Sequence, residues 1–491
     1  MSTDRLRNGA KHGKIEYKWM VLSVVTLGAL LAAIDSSIVI LALPSIMIDL
    51  TTNMVTAIWV LMGYILMNTI FLITFGRLAD LFGRVRMYNL GFLVFTAGSV
   101  LCALAHTGLE LVIFRLVQGV GGAMLMANGM ALITEAFPPH ERGRAMGINS
   151  ITWALGNIIG PVLGGLILSV ASWRLIFLIN LPVGLAGTLW GYLALHELAK
   201  PARREKVDLP GVLFFSLAIT ALLLVLTQNM SWGWFSPPIL ALFALFLLSA
   251  AAFLLWEKRN PQPVINPALF QNRVFSLSTF AAVLQSLAMF SVFFLIVFYL
   301  QGIKGENPFK AALMILPMPV VQSVLGPLGG IFADRHGARL PATAGLLLQG
   351  LATYILSGLK PDSSYAVFFA GLTIMGIGGA LFWSPNTSAV MGAAPRQRLG
   401  VASATLATLR QCGMVMSFAL ALVVAAASMP FEIMTKVFLG TSGRLSGAIA
   451  AGFSAGLDQA LRVSTIIVLI SALLTWLAND RPQSARAQIE N

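Results

Sequence analysis

Charge is what this sequence has least of. Asp, Glu, Lys and Arg make up 10% of its 491 residues, against about 25% in soluble domains, which excludes a soluble globular enzyme. Cysteine is nearly absent: Cys102 and Cys412 each sit in an apolar run, so there is no disulfide framework and no metal-ligand cluster. No Walker loop and no His-Glu-x-x-His pair occurs, so ATP-driven transport and zinc hydrolysis have no support, and no cofactor is implied. The apolar stretches are also too long and too uniform for a membrane β-barrel, whose strands alternate polar and apolar over about 10 residues.

Apolar residues are what remains. They make up 57% of the chain, and the mean hydropathy is +0.84. Fourteen runs are long enough to cross a bilayer at about 20 residues each: 19–43, 55–76, 88–105, 111–134, 146–169, 175–195, 209–228, 238–256, 276–300, 311–332, 341–359, 365–390, 400–428 and 463–478. The sequence predicts an all-α polytopic membrane protein. The net charge of +13 does not indicate nucleic-acid binding, because of where the cations lie. With the N-terminus in the cytoplasm, 23 of the 32 Lys and Arg fall in inner segments, seven in outer ones, and Arg115 and Arg410 within spans. That asymmetry is the positive-inside rule, with both termini cytoplasmic. The first run is too long for a cleavable signal and lacks its small-residue site.

Two sequence echoes reveal a duplicated half. Gly76-x3-Asp80-x2-Gly83 after the second run returns as Gly330-x3-Asp334-x2-Gly337, displaced by 254 residues. Gly119-Val-Gly121-Gly122-Ala123 returns as Gly376-Ile-Gly378-Gly379-Ala380, displaced by 257. Internal repeats of this kind build many secondary transporters. The spans at 209–228 and 238–256 are an insertion, so the architecture is six plus two plus six. The expected organisation is a cytoplasmic tail (1–18), a first six-helix bundle (19–195), linkers with two inserted helices (196–274), a second six-helix bundle (275–480) and a cytoplasmic tail (481–491). Residues 429–461 read as a long outer loop, with stretches apolar enough to lie on the membrane or form a hairpin.

Of the 19 acids, Asp35 is the one well inside a run. On a helix drawn from Tyr17 to Pro44 it lies about 12–14 Å below the outer end. A carboxylate at that depth is costly and faces a cavity or a partner, so it either handles a proton or cation, or locks two helices by pairing with Arg115. Arg115 and Gln118 open the fourth run and have no counterpart in the repeat, where Leu372 and Met375 stand. They therefore serve something specific to the first half. Arg410 and Gln411 are a second buried polar pair, for substrate or for helix contact. Gly156-x3-Gly160-Pro161-x2-Gly164-Gly165 combines small faces with a proline and reads as a hinge or seal. Asp80 sits near the start of the third helix, where an anion is favourable. With Arg84 it is expected to form an inner latch, pairing with Arg142, Arg144 or Glu141. Aromatics including Tyr64, Phe290 and Trp383 suit a cavity for a flat lipophilic cation.

These motifs resemble the major facilitator superfamily, and within it the fourteen-helix drug:proton antiporters. Gly76–Arg86 is similar to the superfamily's inner-loop signature, Arg115–Ala123 to its fourth-helix signature, and Gly156–Gly165 to the fifth-helix signature of antiporters. Asp35–Pro44 resembles the first-helix signature of the fourteen-helix branch, with Ile40 where a polar residue is usual. Trp173-Arg174, Phe177, Asn180, Pro182 and Leu409-Arg410-Gln411 also resemble that branch. The resemblance implies a major-facilitator fold and alternating access. Asp35 would be the proton-coupling and cation-recognising acid, Arg115 its regulator, and Asp80 with Arg84 a latch. The expectation is a non-enzymatic, proton-coupled efflux antiporter for lipophilic, cationic drugs or toxic compounds. It would work as a monomer in a bacterial inner membrane, with lipid around it and no metal. The alternatives are export or flipping of a lipid, glycolipid or metabolite on the same fold and, remotely, a non-transporting membrane sensor.

Overall fold

Polar side chains begin the helices. Asn53 accepts the Thr56 N–H at 2.8 Å, Thr107 the Glu110 N–H at 3.2 Å, Asp208 the Gly211 N–H at 3.0 Å and Asn307 the Lys310 N–H at 2.8 Å. Each satisfies a backbone donor that the first helical turn leaves free, which matters most where no water can replace it. The computed structural model describes residues 16–138, 141–197, 208–260, 263–395, 398–428 and 448–478. Among them there are fourteen helices long and apolar enough to span a membrane.

The first bundle comprises α1 (Tyr17–Asp49), α2 (Met54–Phe82), α3 (Arg84–Ala103), α4 (Gly108–Ala136), α5 (Arg142–Val170) and α6 (Leu175–Ala194). An inserted hairpin follows, α7 (Leu209–Trp232) and α8 (Pro237–Arg259). The second bundle comprises α9 (Arg273–Ile303), α10 (Pro308–Ile315 and Pro317–His336), α11 (Arg339–Ser357), α12 (Tyr365–Ala393), α13 (Leu399–Ser428) and α14 (Ala448–Leu477). The face holding the start of α1 and the α2–α3 turn is called here the basic face, and the opposite one the far face.

The sequence echoes are packing geometry repeated in both bundles. A Cβ on Gly119 would stand 2.6 Å from the Tyr64 carbonyl of α2, and one on Gly376 would stand 2.6 Å from the Met318 carbonyl of α10. Gly121 lies likewise against the Phe95 backbone of α3, and Gly378 against the Gly345 backbone of α11. Glycine is required because these helices touch backbone to backbone. Gly83 and Gly337 close α2 and α10 with φ of +106° and +83°, a left-handed conformation that glycine adopts without strain.

The inserted hairpin lies beside the bundles. Its α7 packs on α2 and α13, and Trp59 of α2 donates from Nε1 to Thr227 Oγ1 at 3.1 Å. The outer helix α8 leaves Leu247, Leu248 and Leu254 more than half exposed, as a helix facing lipid does.

Three sequence expectations need correction. Pro44 lies inside α1 rather than at its end, because the apolar run continues to Met47 and a helix tolerates proline where neighbours enclose it. Asp35 is therefore about 21 Å from the far end of α1, close to mid-membrane. Residues 448–461 belong to α14 rather than to an outer loop, while 429–447, like both terminal tails and 198–207, lie outside the described residues. The far end of α1 is clamped by Asp49, which accepts from Trp173 Nε1 at 3.0 Å and pairs with Arg174.

Single cysteines at Leu247 and Leu248 should react with a lipid-soluble maleimide and resist a membrane-impermeant one. The native Cys102 and Cys412 are buried and contribute little background. Labelling by the impermeant reagent would contradict the peripheral placement.

Candidate functional site

Inside the first bundle, α1, α3, α4 and α6 converge on one carboxylate. Asp35 is 0% exposed. Arg115 donates from Nη1 to Asp35 Oδ2 at 2.7 Å, while Gln118 Nε2 and Asn180 Nδ2 donate to Oδ1 at 2.8 and 2.9 Å. Ser99 Oγ ties the second rank together. It accepts from Gln118 at 3.1 Å and Asn180 at 2.8 Å, and donates to the Phe177 carbonyl at 3.0 Å.

Arg115 is enclosed as completely as its partner. Its Nε donates to the Val60 carbonyl at 3.0 Å and its Nη1 to Gln118 Oε1 at 2.6 Å. Its guanidinium lies 4.4 Å from the centre of the Tyr64 ring and 5.7 Å from that of Phe177. A buried ion pair is tolerable only when further hydrogen bonds support it, and here the carboxylate accepts three and the guanidinium donates to three acceptors. The sequence pointed to Asp35, Arg115 and Gln118 together. It assigned no role in this cluster to Ser99 or Asn180. An asparagine in an apolar run was the available signal for Asn180; Ser99 offered none.

The face of α1 that turns away from this network rests on α5. A Cβ on Gly156 would meet Ala33, one on Gly160 would meet Ser37 and Ile34, and one on Gly164 would meet Ile38, each pair closer than 3.4 Å. The adjacent Gly165 presses on α10 of the other bundle, where a Cβ would come within 2.7 Å of Phe309 Cα and 2.8 Å of the Pro308 carbonyl. The glycines of α5 therefore carry a continuous contact from the ion-pair helix to the second bundle on the far face. Toward the basic face the packing is looser: a Cβ on Gly143 or Gly147 of α5, or on Gly400 of α13, would meet nothing within 4 Å.

At the basic face Asp80 accepts from Arg84 at 2.8 and 2.9 Å, and Arg84 reaches Glu135 at 3.3 Å. The expected pairing of Asp80 with Arg142 or Arg144 is not what the structure shows. Arg142 donates to the Phe137 carbonyl at 3.1 Å, Arg144 stacks on Trp19, and Glu141 pairs with Lys18. Asp80 and Arg84 stand four residues apart across the Gly83 turn, so the local pair forms first. Gly76 has nothing within 4 Å of an added Cβ, so no contact in this state requires glycine there. The other candidate, Arg410, lies in the second bundle, its guanidinium 4.2 Å from the centre of the Trp383 ring.

The chain matches the Major Facilitator Superfamily over residues 25–418. It is 33% identical to the riboflavin transporter RibZ of Clostridioides difficile, over 83% of this chain and 87% of the relative. Identity is 30% to the tetracenomycin C resistance and export protein of Streptomyces glaucescens, over 80% and 73%, and 33% to the multidrug resistance protein Stp of Mycobacterium tuberculosis, over 82% and 74%. Among solved structures, an inward-facing bacterial homolog of the human lysosomal transporter Spinster superposes with a TM-score of 0.67 at 19% identity, covering 95% of this chain and 98% of that one. That likeness is one of fold.

Asp35→Asn and Arg115→Gln should each destabilise the protein by about 3–5 kcal/mol, because each leaves an uncompensated buried charge. The double variant should lose much less than the sum. Thermal unfolding of the purified proteins in nanodiscs measures this; additive losses would show that the two side chains do not interact.

Proposed function

Because the chain belongs to the Major Facilitator Superfamily, we propose that it is a proton-coupled exporter of lipophilic small molecules, with Asp35 as its proton carrier. The observation that carries this reading is the sealed Asp35–Arg115 pair. Protonating Asp35 removes one of two opposed charges from a site without water, where charge interactions are strong. The carboxylate then no longer holds α1 to α4. Since α1 rests on the glycines of α5 and α5 on α10, the change reaches the seam between the bundles. Coupling in this reading runs through helix packing rather than through competition at Asp35, which no substrate can touch while it is enclosed.

Direction follows from the charges. The basic face is the cytoplasmic one under the positive-inside rule, so substrate loads from that side when the bundles part there. Asp80, Arg84 and Gly76 act as the latch of the opposite state, gathering only when the basic face closes. The bacterial relatives favour a bacterial inner membrane as its location, and the ion-pair network within one chain supports a monomeric working unit. The named drug and antibiotic exporters among them favour efflux of toxic compounds. The riboflavin transporter favours a second reading, carriage of a planar metabolite by the same mechanism.

The test is accumulation of lipophilic dyes and of riboflavin in inverted vesicles under an imposed pH gradient. Gradient-driven uptake of at least one of them is expected from the native protein. It should be abolished in Asp35→Asn and partly restored in Asp35→Glu, with insertion unchanged. Undiminished gradient-driven uptake by Asp35→Asn would remove the coupling role.

A further inference from the structure

We propose that Arg410 and Trp383 form the head of the substrate site, and that the molecules bound there are planar lipophilic anions, of which a carboxylate-bearing aromatic is the simplest. This rests on the exporter reading above and assigns the charge of its cargo. Two arginines well inside the spans, Arg115 and Arg410, are treated in opposite ways. Arg115 is paired with a carboxylate and also donates to the Val60 carbonyl and to Gln118. Arg410 has no carboxylate within 4.0 Å among the described residues, and its Nε is buried without a hydrogen-bond partner. What it has is the Trp383 ring, 4.2 Å away, which eases the charge through the ring quadrupole but leaves the donors of the fork available.

Its position suits a substrate. Arg410 is about 16 Å along α13 from the basic-face end, and Trp383 is about 15 Å along α12 from the same face, so the two are level near mid-membrane. The α13 face that leads to Arg410 runs through Gly400 and Ser403, both exposed, to the half-buried Ala407 and Arg410. In the exporter reading this face is the wall of the cleft between the bundles. The neighbouring Gln411 reaches Met126 of the first bundle at 3.8 Å, which places Arg410 beside the seam where the two bundles move.

The electrostatics of the cleft follow from what else is charged. Asp35 is enclosed and neutralised by Arg115. Every other carboxylate of the described residues lies within four residues of a span's end or outside the spans. The middle of the cleft therefore holds a guanidinium that stays charged and no acid to balance it. Such a charge is costly in a membrane unless something pairs with it, and a carboxylate matches the planar fork through two parallel hydrogen bonds. A cation entering the same place would be repelled. The expectation of a cationic cargo came from the aromatic residues and from Asp35 as the cation-recognising acid that the family resemblance implied; in the structure Asp35 is enclosed and paired with Arg115.

Fluorescein and rhodamine 123 share a planar xanthene frame and differ in charge, so they separate the possibilities. Binding is read by fluorescence anisotropy with the full chain in nanodiscs. The native protein should bind fluorescein at least about tenfold more tightly than rhodamine 123. Arg410→Gln should weaken fluorescein by about tenfold or more, the range of a lost charged hydrogen bond, and bring the two dyes close together; Arg410→Lys should retain part of the preference. Trp383→Ala should weaken both dyes and serves as the second variant if Arg410→Gln does not fold. Preference for rhodamine 123, binding of neither dye, or fluorescein affinity unchanged in folded Arg410→Gln would each overturn the proposal. Because binding needs no gradient, failure of the exporter reading shows separately, as dye binding without gradient-driven uptake.

Discussion

Two opposite charges 2.7 Å apart, in a place water does not reach, set the terms for the rest of this protein. Neither Asp35 nor Arg115 is stable there alone, and breaking such a pair from one side costs several kcal/mol. The surroundings answer that demand: Gln118, Asn180 and Ser99 on the carboxylate side, the Val60 carbonyl and the Tyr64 ring on the guanidinium side. The same cost is the source of its usefulness. In the proposed mechanism, one proton arriving at Asp35 cancels a strong local attraction and releases the helices it holds together.

The glycines give the proposed mechanism its path from that local change to the second bundle. Where side chains separate two helices, a shift in one is absorbed by rotamers in the other. Along α1 and α5 the separation is removed at Gly156, Gly160 and Gly164, and between α5 and α10 at Gly165. Closely packed backbones have discrete arrangements rather than a continuum, which is what a rocking mechanism needs. Pro161, buried in the same stretch of α5, frees one carbonyl from the helical ladder, which makes the helix easier to bend there.

Much of this was legible in the sequence, for identifiable reasons. The fourteen spans follow from bilayer thickness, and the duplicated halves from glycines whose positions backbone contact dictates. Asp35, Arg115 and Gln118 stood out because polar groups inside apolar runs are expensive and therefore purposeful. The limits were geometric. Sequence placed Asp35 in the right helix and left open whether it faced a cavity or paired with Arg115; which face of α1 points into its own bundle was not legible, and the structure shows the enclosed pair. Ser99 was invisible because small hydroxyl residues satisfy themselves on the preceding turn of any helix, and nothing local distinguishes one that holds a network. Asp80 was paired with distant arginines because sequence gives no measure of which of several cations is nearest.

The central claim is that the charge state of Asp35 sets the seam between α5 and α10. Distances between spin labels at Ser172 and Lys310, on the far face, test it most directly in the purified protein across a pH series. The account predicts a longer and broader distribution at low pH in the native sequence, and in Asp35→Asn the low-pH distribution at every pH. A far-face distance that follows pH equally in both proteins, or that never changes in either, would contradict it.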